Sequence, residues 1–464
     1  MSDLTVKKII EICSGILYCG SEDVVCTSYN KDTRIIKEND TYIGIKGENF
    51  DGNSLYKEAF SKGANCCILE NDYLNKEKIE KLDKPIILVD NSKEALRKIA
   101  SYIRENSDAI FIGVTGSVGK TSTRDMIYSV VKKQYKSLKT EGNYNNDIGL
   151  PLTIMRIKDE NCAVIEMGMN NLGEIEYLSN ITRPNISVIT NVGTAHIGNL
   201  GSRENILKAK LEIKSGMDEK GILIINNDND LLHEYYLKNK ENVLTVGISN
   251  ESDVMAYDIN YTSTSSSFKI KYKNNTYDCN CPVNGEAYIY NSLVAFAVGM
   301  LTNVDIEKIL DGISDFKLTE NRLELIKTKN GINILNDCYN ASVDSMKSSL
   351  EILKNSVGKR KIAVLGDMLE LGEFSEKLHK EVGKFVVNNN VDLLITVGEY
   401  AKYIAEGAKE SKMNEESIFS FDTKEEAIEY LNKILEESDI VLIKASHGMK
   451  LDLIVNSLLN NYDK

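Results

Sequence analysis

The residues with the strongest claim to chemistry are Thr115, Gly116, Ser117, Val118, Gly119, Lys120, Thr121 and Ser122, the run T-G-S-V-G-K-T-S. Glycines at 116 and 119 let the backbone curl so that N–H groups converge on an anion. A lysine directly after the second glycine reaches the terminal phosphates of a nucleotide, and the hydroxyls that follow are hard oxygen donors for Mg²⁺. The general phosphate-loop pattern asks for another glycine five residues before the second one. Val114 stands there, so this is a shorter variant. Glycine turns are common, and the context decides. The apolar run 109–114 reads as a buried strand, and Met126, Ile127, Val130 and Val131 recur at helical spacing within 120–134. Strand, glycine loop and helix in that order specify a nucleotide-binding enzyme core.

Elements that would position this loop follow along the chain. The runs 162–168, 186–193 and 221–228 are near-continuous apolar stretches of strand length, and helices are expected at 146–157, 171–179 and 202–216. That alternation predicts a parallel, doubly wound sheet, in which ligands bind at the carboxyl ends of the strands. Glu166 falls at one such end and His196 just beyond the next. Beside a Gly-Lys-Thr loop the two point to metal and phosphate work. Strands at 332–339, 361–367, 392–398, 417–421 and 439–446 predict a second α/β sheet, Rossmann-like in rhythm. It has no G-x-G-x-x-G after its first strand, so dinucleotide binding is unsupported. Asp337, Tyr339, Asn340, Asp367 and residues 444–447 gather at its strand ends. Residues 1–107, with strands at 40–47, 64–70 and 85–91, make a small α/β domain without a catalytic cluster. The run TSTSSS (262–267) is expected to be a turn within a β-rich insert. The fold class is therefore α/β in three domains: 1–107, 108–314 and 315–464.

Composition excludes other classes. The formal net charge of −13 argues against general nucleic-acid binding, and it requires an anionic substrate to be held by local positive groups. No run of 18 apolar residues and no long apolar N-terminal segment occurs, so a cytoplasmic protein with no membrane insertion is expected. The nine cysteines include no C-x-x-C pair and read as reduced core residues. A guanine-nucleotide switch wants Asn-Lys-x-Asp, and INNDND (225–230) lacks the lysine.

Several linked stretches carry a resemblance over nearly the whole chain. They are DTR…IGIKGENFDGN (32–53), TGSVGKTS (115–122), TEGNYNNDIGLPLT (140–153), EMGMNNLGEI (166–175) and ITNVGTAHIGNLGSRENILKAKLEI (189–213). Then come ENRLE (320–324), DCYNASVDSM (337–346) and LGDMLELGE (365–373). Together they resemble the Mur ligase family. The phosphate loop alone fits every Mur ligase and folylpolyglutamate synthase, whereas EMGMNNLGEI, AHIGNLGSREN and LGDMLELGE point to the branch that uses D-alanyl-D-alanine. The resemblance implies a monomeric ATP-dependent amide-bond ligase of cytoplasmic peptidoglycan synthesis, joining that dipeptide to UDP-N-acetylmuramoyl-tripeptide through an acyl phosphate. It also implies an N-terminal UDP-substrate domain, a central P-loop ATPase-type sheet and a C-terminal Rossmann-like ligase domain that closes onto it.

Residue roles follow from the same resemblance. Lys120 faces the phosphates; Thr121, Glu166 and His196 serve Mg²⁺ sites; Asn291 approaches the adenine, Arg322 the phosphates and Asp337 the ribose. Arg34 and Lys46 are candidates for the UDP moiety, and Asn143, Asn145 and Asn146 for the muramoyl-peptide channel. In LKAKLEI (207–213) the two lysines point to different faces of a helix, and Lys210 neighbours the apolar Leu207 and Leu211. A partly buried amine of lowered pKa can take up CO₂. Mur ligases commonly carry a carbamylated lysine, and Lys210 matches its place. Two departures stand out: DCYNA continues Ser342-Val343 where Asn-Pro is frequent, and His447 stands where an arginine is frequent.

Overall fold

A computed structural model describes residues 3–76, 80, 82–318 and 322–462. Among them the strands form three large sheets that succeed one another along the chain. The first orders Ile16–Cys19, Ile86–Val89, Cys66–Glu70, Asp40–Ile43 and Ser28–Asn30. All of its pairings are parallel except Ile16–Cys19 with Ile86–Val89. The helix Ser92–Glu105 closes this unit. Asn91 caps it by accepting from the Glu94 N–H, and Ala95, Leu96, Ile99, Ala100 and Ile103 form its buried stripe. The same helix packs on Gly149–Ile154 and Glu174–Thr182, which docks the first unit on the second.

The central sheet has nine strands, with Ile110–Thr115 between Ile186–Ile189 and Cys162–Glu166. Phe111, Ile112, Val114, Ala163, Val164 and Val188 are wholly buried, as strands covered by helices on both faces must be. The expectation of a parallel sheet holds from Ser137–Lys139 as far as Val254–Tyr261 and then fails. Ser266–Tyr272 and Asn275–Cys281 pair antiparallel. The cause is loop length. Two residues join the last two strands and four join the pair before, too few for a crossover. TSTSSS supplies the earlier turn, where Thr262 Oγ1 accepts from the Ser265 N–H at 2.9 Å. One face of this extension is covered by the helix Glu286–Leu301, whose Phe296 ring lies 5.9 Å from Tyr272 and 5.5 Å from Tyr277.

The last sheet orders Glu324–Lys327, Asn333–Asn336, Ile440–Lys444, Lys361–Gly366, Leu393–Val397 and Ile418–Phe421. It is parallel apart from its first pairing, an edge strand the apolar pattern did not announce. The Ser342-Val343 departure falls at a helix start. Ser342 caps Val343–Asn355 in a reciprocal capping box with Ser345. All nine cysteines are free thiols, and all but Cys19 are buried.

Candidate active site

Register brings three strand ends into line: Glu166 pairs with Val114, and Ile189 with Thr115. The phosphate loop leaves the middle of these ends. Gly116 adopts φ +150°, and a Cβ there would lie 1.9 Å from Thr190 Oγ1, so no side chain fits. Gly119, at φ +81°, opens the helix Lys120–Val131. Asn191 holds the loop between them. Its carbonyl accepts from the Ser117 N–H at 3.1 Å and its Oδ1 from the Val118 N–H at 2.9 Å. Those two donors are therefore committed, and the anion site narrows to the first-turn N–H groups of the helix, which lack intrahelical acceptors. Asn191 was not singled out in the sequence; its signal there is a polar pair, Thr190-Asn191, directly after the strand Ile186–Ile189.

Lys120 folds back over the loop, its Nζ donating to the Gly116 carbonyl at 2.7 Å and the Ser117 carbonyl at 3.4 Å. Enclosure holds its pKa below the usual lysine value; Glu166 opposes the shift and the Arg322 cation reinforces it. Glu166 is 2 % exposed. Its Oε2 accepts from Thr121 Oγ1 at 2.9 Å and Arg124 Nη1 at 3.0 Å, and its Oε1 from Asn145 Nδ2 at 2.8 Å. Arg124, also 2 % exposed, turns a second edge to Asp125 at 2.7 Å, and Lys139 reaches the same carboxylate at 2.8 Å. Two cations thus neutralise two buried carboxylates. Arg124 was not singled out in the sequence because it reads as one more polar residue at a helix start. Arg124→Met should destabilise the fold by ~3 kcal/mol, the low end for breaking a buried pair because Lys139 still neutralises Asp125. Urea unfolding measures this, with Arg124→Lys expected to recover most of the loss.

The opposite wall comes from the last sheet. The Arg322 guanidinium lies 3.9 Å from the Tyr339 ring centre, and His447 packs edge-on against that ring at 6.3 Å. Asp337 Oδ2 accepts from Lys444 Nζ at 2.5 Å and Ser349 Oγ at 2.6 Å, while Lys444 also donates to the Asn340 carbonyl at 2.9 Å. Asn291 projects from Glu286–Leu301 and takes Thr123 Oγ1 on its Oδ1 at 2.7 Å. A cavity of about 720 Å³ separates the walls, and Lys120, Glu166, His196, Asn291, Arg322 and Asp337 all line it.

The other sequence-derived candidates divide. Ser117, Val118, Gly119, Thr121, Ser122, Asn143, Asn145 and Asn146 face the cavity. Asn146 also accepts from the Gly149 N–H at 2.9 Å. Thr115 lies behind the wall, its hydroxyl donating to the Met167 carbonyl at 2.9 Å. Arg34 and Lys46 remain on the first domain, away from the lining; Arg34 pairs with Asp32 at 2.6 Å and Lys46 forms a backbone bridge with Asp51. Glu320 and Asn321 of ENRLE lie outside the described residues. His196 has φ +65°, and its Nδ1 sits 2.8 Å from Glu370 Oε2, which holds the Glu370 carboxyl below its usual range. Lys210 is wholly buried and its Nζ has no hydrogen-bond partner. Burial first, and the Lys120 charge second, push its pKa well below the usual lysine value. It does not line the cavity but lies near enough to Lys120 for the two charges to interact.

No cluster of three His, Cys, Asp or Glu side chains able to hold a metal occurs among the described residues. The donors present nevertheless suit Mg²⁺, which takes one or two protein oxygens and completes its shell with phosphates and water. Thr121 and Glu166 are such a pair, already in contact. The orphaned Lys210 nitrogen is the kind of buried polar atom that a missing group would satisfy.

Residues 114–299 match the Mur ligase middle domain, and residues 321–447 match the Mur ligase glutamate ligase domain. The chain is 38% identical over 461 residues, 98% of each chain, to the UDP-N-acetylmuramoyl-tripeptide–D-alanyl-D-alanine ligase of Bacillus subtilis (strain 168). It is 30% identical over 469 residues, 99% of each chain, to the ligase of that name from Escherichia coli (strain K12). Among solved structures, MurF from Acinetobacter baumannii superimposes with a TM-score of 0.88 at 27% identity, covering 99% of both chains. MurF ligase from Thermotoga maritima in complex with ADP gives 0.81 at 27% identity, covering 94% of this chain and 98% of that one.

Proposed function

The chain belongs to the Mur ligases, and from that premise we propose that it uses ATP to join D-alanyl-D-alanine to UDP-N-acetylmuramoyl-tripeptide, releasing ADP and phosphate. The observation that carries this reading is the shared cavity, walled by a phosphate loop on one sheet and by Arg322, Asp337 and Lys444 on another. A peptide carboxylate brought there meets the γ-phosphate of ATP. Attack gives an acyl phosphate and ADP; the dipeptide amine then attacks the acyl carbon and expels phosphate. The first step sets a carboxylate against a triphosphate, and the second builds negative charge on the tetrahedral oxygen and the departing phosphate; the chain answers both with Lys120 and Arg322 on opposite walls. Enclosure between the walls keeps water from the acyl phosphate. Mg²⁺, held by Thr121 and Glu166, would neutralise charge on the transferring phosphoryl group.

Lys210 is assigned as the carbamylated lysine. Its neutral amine adds to CO₂ and loses a proton, giving a carbamate whose two oxygens suit a hard cation. His196, on the cavity wall with Glu370 on its Nδ1 side, is the imidazole that serves the metal; a carboxylate partner is what orients a metal-ligating ring. Asn291 and Asp337 serve the nucleoside, Arg34 and Lys46 the UDP end, and Asn143, Asn145 and Asn146 the peptide. The three units are placed at 1–107, 108–314 and 315–464, and the enzyme is taken to act as a cytoplasmic monomer. No helix among the described residues is long and apolar enough to cross a membrane.

Phosphate release from ATP in the presence of UDP-N-acetylmuramoyl-tripeptide should depend on added D-alanyl-D-alanine and stay at background with single amino acids. Robust turnover with a single amino acid and none with the dipeptide would overturn the assignment.

A further inference from the structure

The segment 190–198 touches both walls of the cavity. On the phosphate-loop side, Thr190 Oγ1 donates to the Val118 carbonyl at 2.7 Å, Asn191 accepts from the Ser117 and Val118 N–H groups, and the Gly193 N–H donates to Ser117 Oγ at 3.0 Å. From behind, Arg203 Nη2 donates to the Val192 carbonyl at 2.8 Å. On the other side the C-terminal domain grips the same few residues. Asp344, in the first turn of Val343–Asn355, accepts from the Thr194 N–H at 3.1 Å. The Glu370 carbonyl accepts from the Gly198 N–H at 3.1 Å, and its carboxylate meets His196.

Both grips have no spare room. A Cβ on Gly193 would lie 1.9 Å from Asp344 Oδ2. One on Gly198 would lie 2.6 Å from the Glu370 carbonyl oxygen and 2.8 Å from the Gly372 nitrogen. Neither glycine has a positive φ, so what excludes a side chain is the other domain and not the local backbone.

We propose that segment 190–198 is the strap that couples closure of the C-terminal domain to the shape of the phosphate loop, with Asp344 and Glu370 as its positioning residues. Asp344 on Thr194 and Ser117 on Gly193 act on adjacent residues. A closed C-terminal domain therefore braces the strap against the loop, and a loop ordered around phosphates presents the strap to Asp344. Linkage makes this reciprocal: closure strengthens nucleotide binding by the factor with which nucleotide favours closure. The inference rests on the reading of the phosphate loop as the nucleotide site.

The test is a double-mutant cycle on the full chain. Affinity for a non-hydrolysable β,γ-methylene ATP analogue with Mg²⁺ is read by calorimetry, and compaction by small-angle scattering. Asp344→Ala should weaken the analogue about three- to tenfold, the scale of one hydrogen bond made only in the closed form. Asp344→Asn, which keeps an acceptor, should recover nearly all of it. In a Ser117→Ala background, Asp344→Ala should cost measurably less, because the Gly193–Ser117 hydrogen bond next to Thr194 is already cut while the Thr190 and Asn191 links remain. Gly198→Ala tests the second grip by steric means and should hold the nucleotide-bound protein in a more expanded state. Unchanged affinity and compaction in Asp344→Ala, or an equal loss with and without Ser117 Oγ, would overturn the strap. Failure of the unsubstituted protein to bind the analogue would instead overturn the nucleotide site beneath it.

Discussion

Lys120→Ala should lower turnover by ~10²–10⁴-fold, the scale of removing one preorganised electrostatic group from a phosphoryl-transfer site, and should leave the fold intact. The Lys120 ammonium lies against the Gly116 and Ser117 carbonyls at the mouth of the loop, where a triphosphate would supply better acceptors. Among the described residues the other cation on this wall, Arg124, does not replace it, because it is committed to Glu166 and Asp125. Stability should not suffer. Burial already disfavours the charged form of Lys120, as its lowered pKa records, and this offsets the two hydrogen bonds lost with the amine. Single-turnover phosphate release together with thermal unfolding checks both halves. Near-normal turnover would show that this loop is not the catalytic one.

The second large effect is at Lys210, where activity and stability should move apart. Lys210→Met keeps the volume of the side chain and removes a nitrogen that is buried without a hydrogen-bond partner. A buried unpaired amine costs stability, so in buffer freed of CO₂ and bicarbonate, where the lysine is unmodified, the melting temperature should hold or rise. Turnover should nonetheless fall on the order of 10²-fold, as when a group that orients a metal is lost. A residue retained at such a site despite its cost in stability is the expected mark of function. In Lys210→Ala the vacated space should admit short carboxylic acids, and formate or acetate in excess should partly restore turnover. Isotopically labelled bicarbonate should give a carbamate signal in the unsubstituted protein and none in either variant. Lys208, which is exposed two residues earlier in the same helix, is the control, and Lys208→Ala should turn over normally. Normal turnover of Lys210→Met, or inactivity of Lys208→Ala, would remove the assignment.

Read alone, the sequence determined what is local. Thr115 to Ser122 specify a strand–loop–helix turn because glycine torsions and first-turn N–H groups are properties of a few consecutive residues. The buried runs at 162–168, 186–193 and 221–228 specified parallel strands, because only a strand covered on both faces is apolar at every position. That puts Glu166 at a strand end, and the spacing of Leu207, Lys210 and Leu211 sets Lys210 against an apolar stripe. The tertiary structure decided what depends on residues far apart in the chain. It turned the outer central sheet antiparallel, made Ser342 a helix cap, committed the Ser117 and Val118 N–H groups to Asn191, and left the Lys210 amine with no partner at all. It also set Arg124 on Glu166 across 42 positions and Asp344 on Thr194 across 150. No periodicity records such pairings, because a polar side chain on a helix start reads the same whether its partner is water or a buried carboxylate. Only the packing of one sheet against the next removes the water and makes the difference.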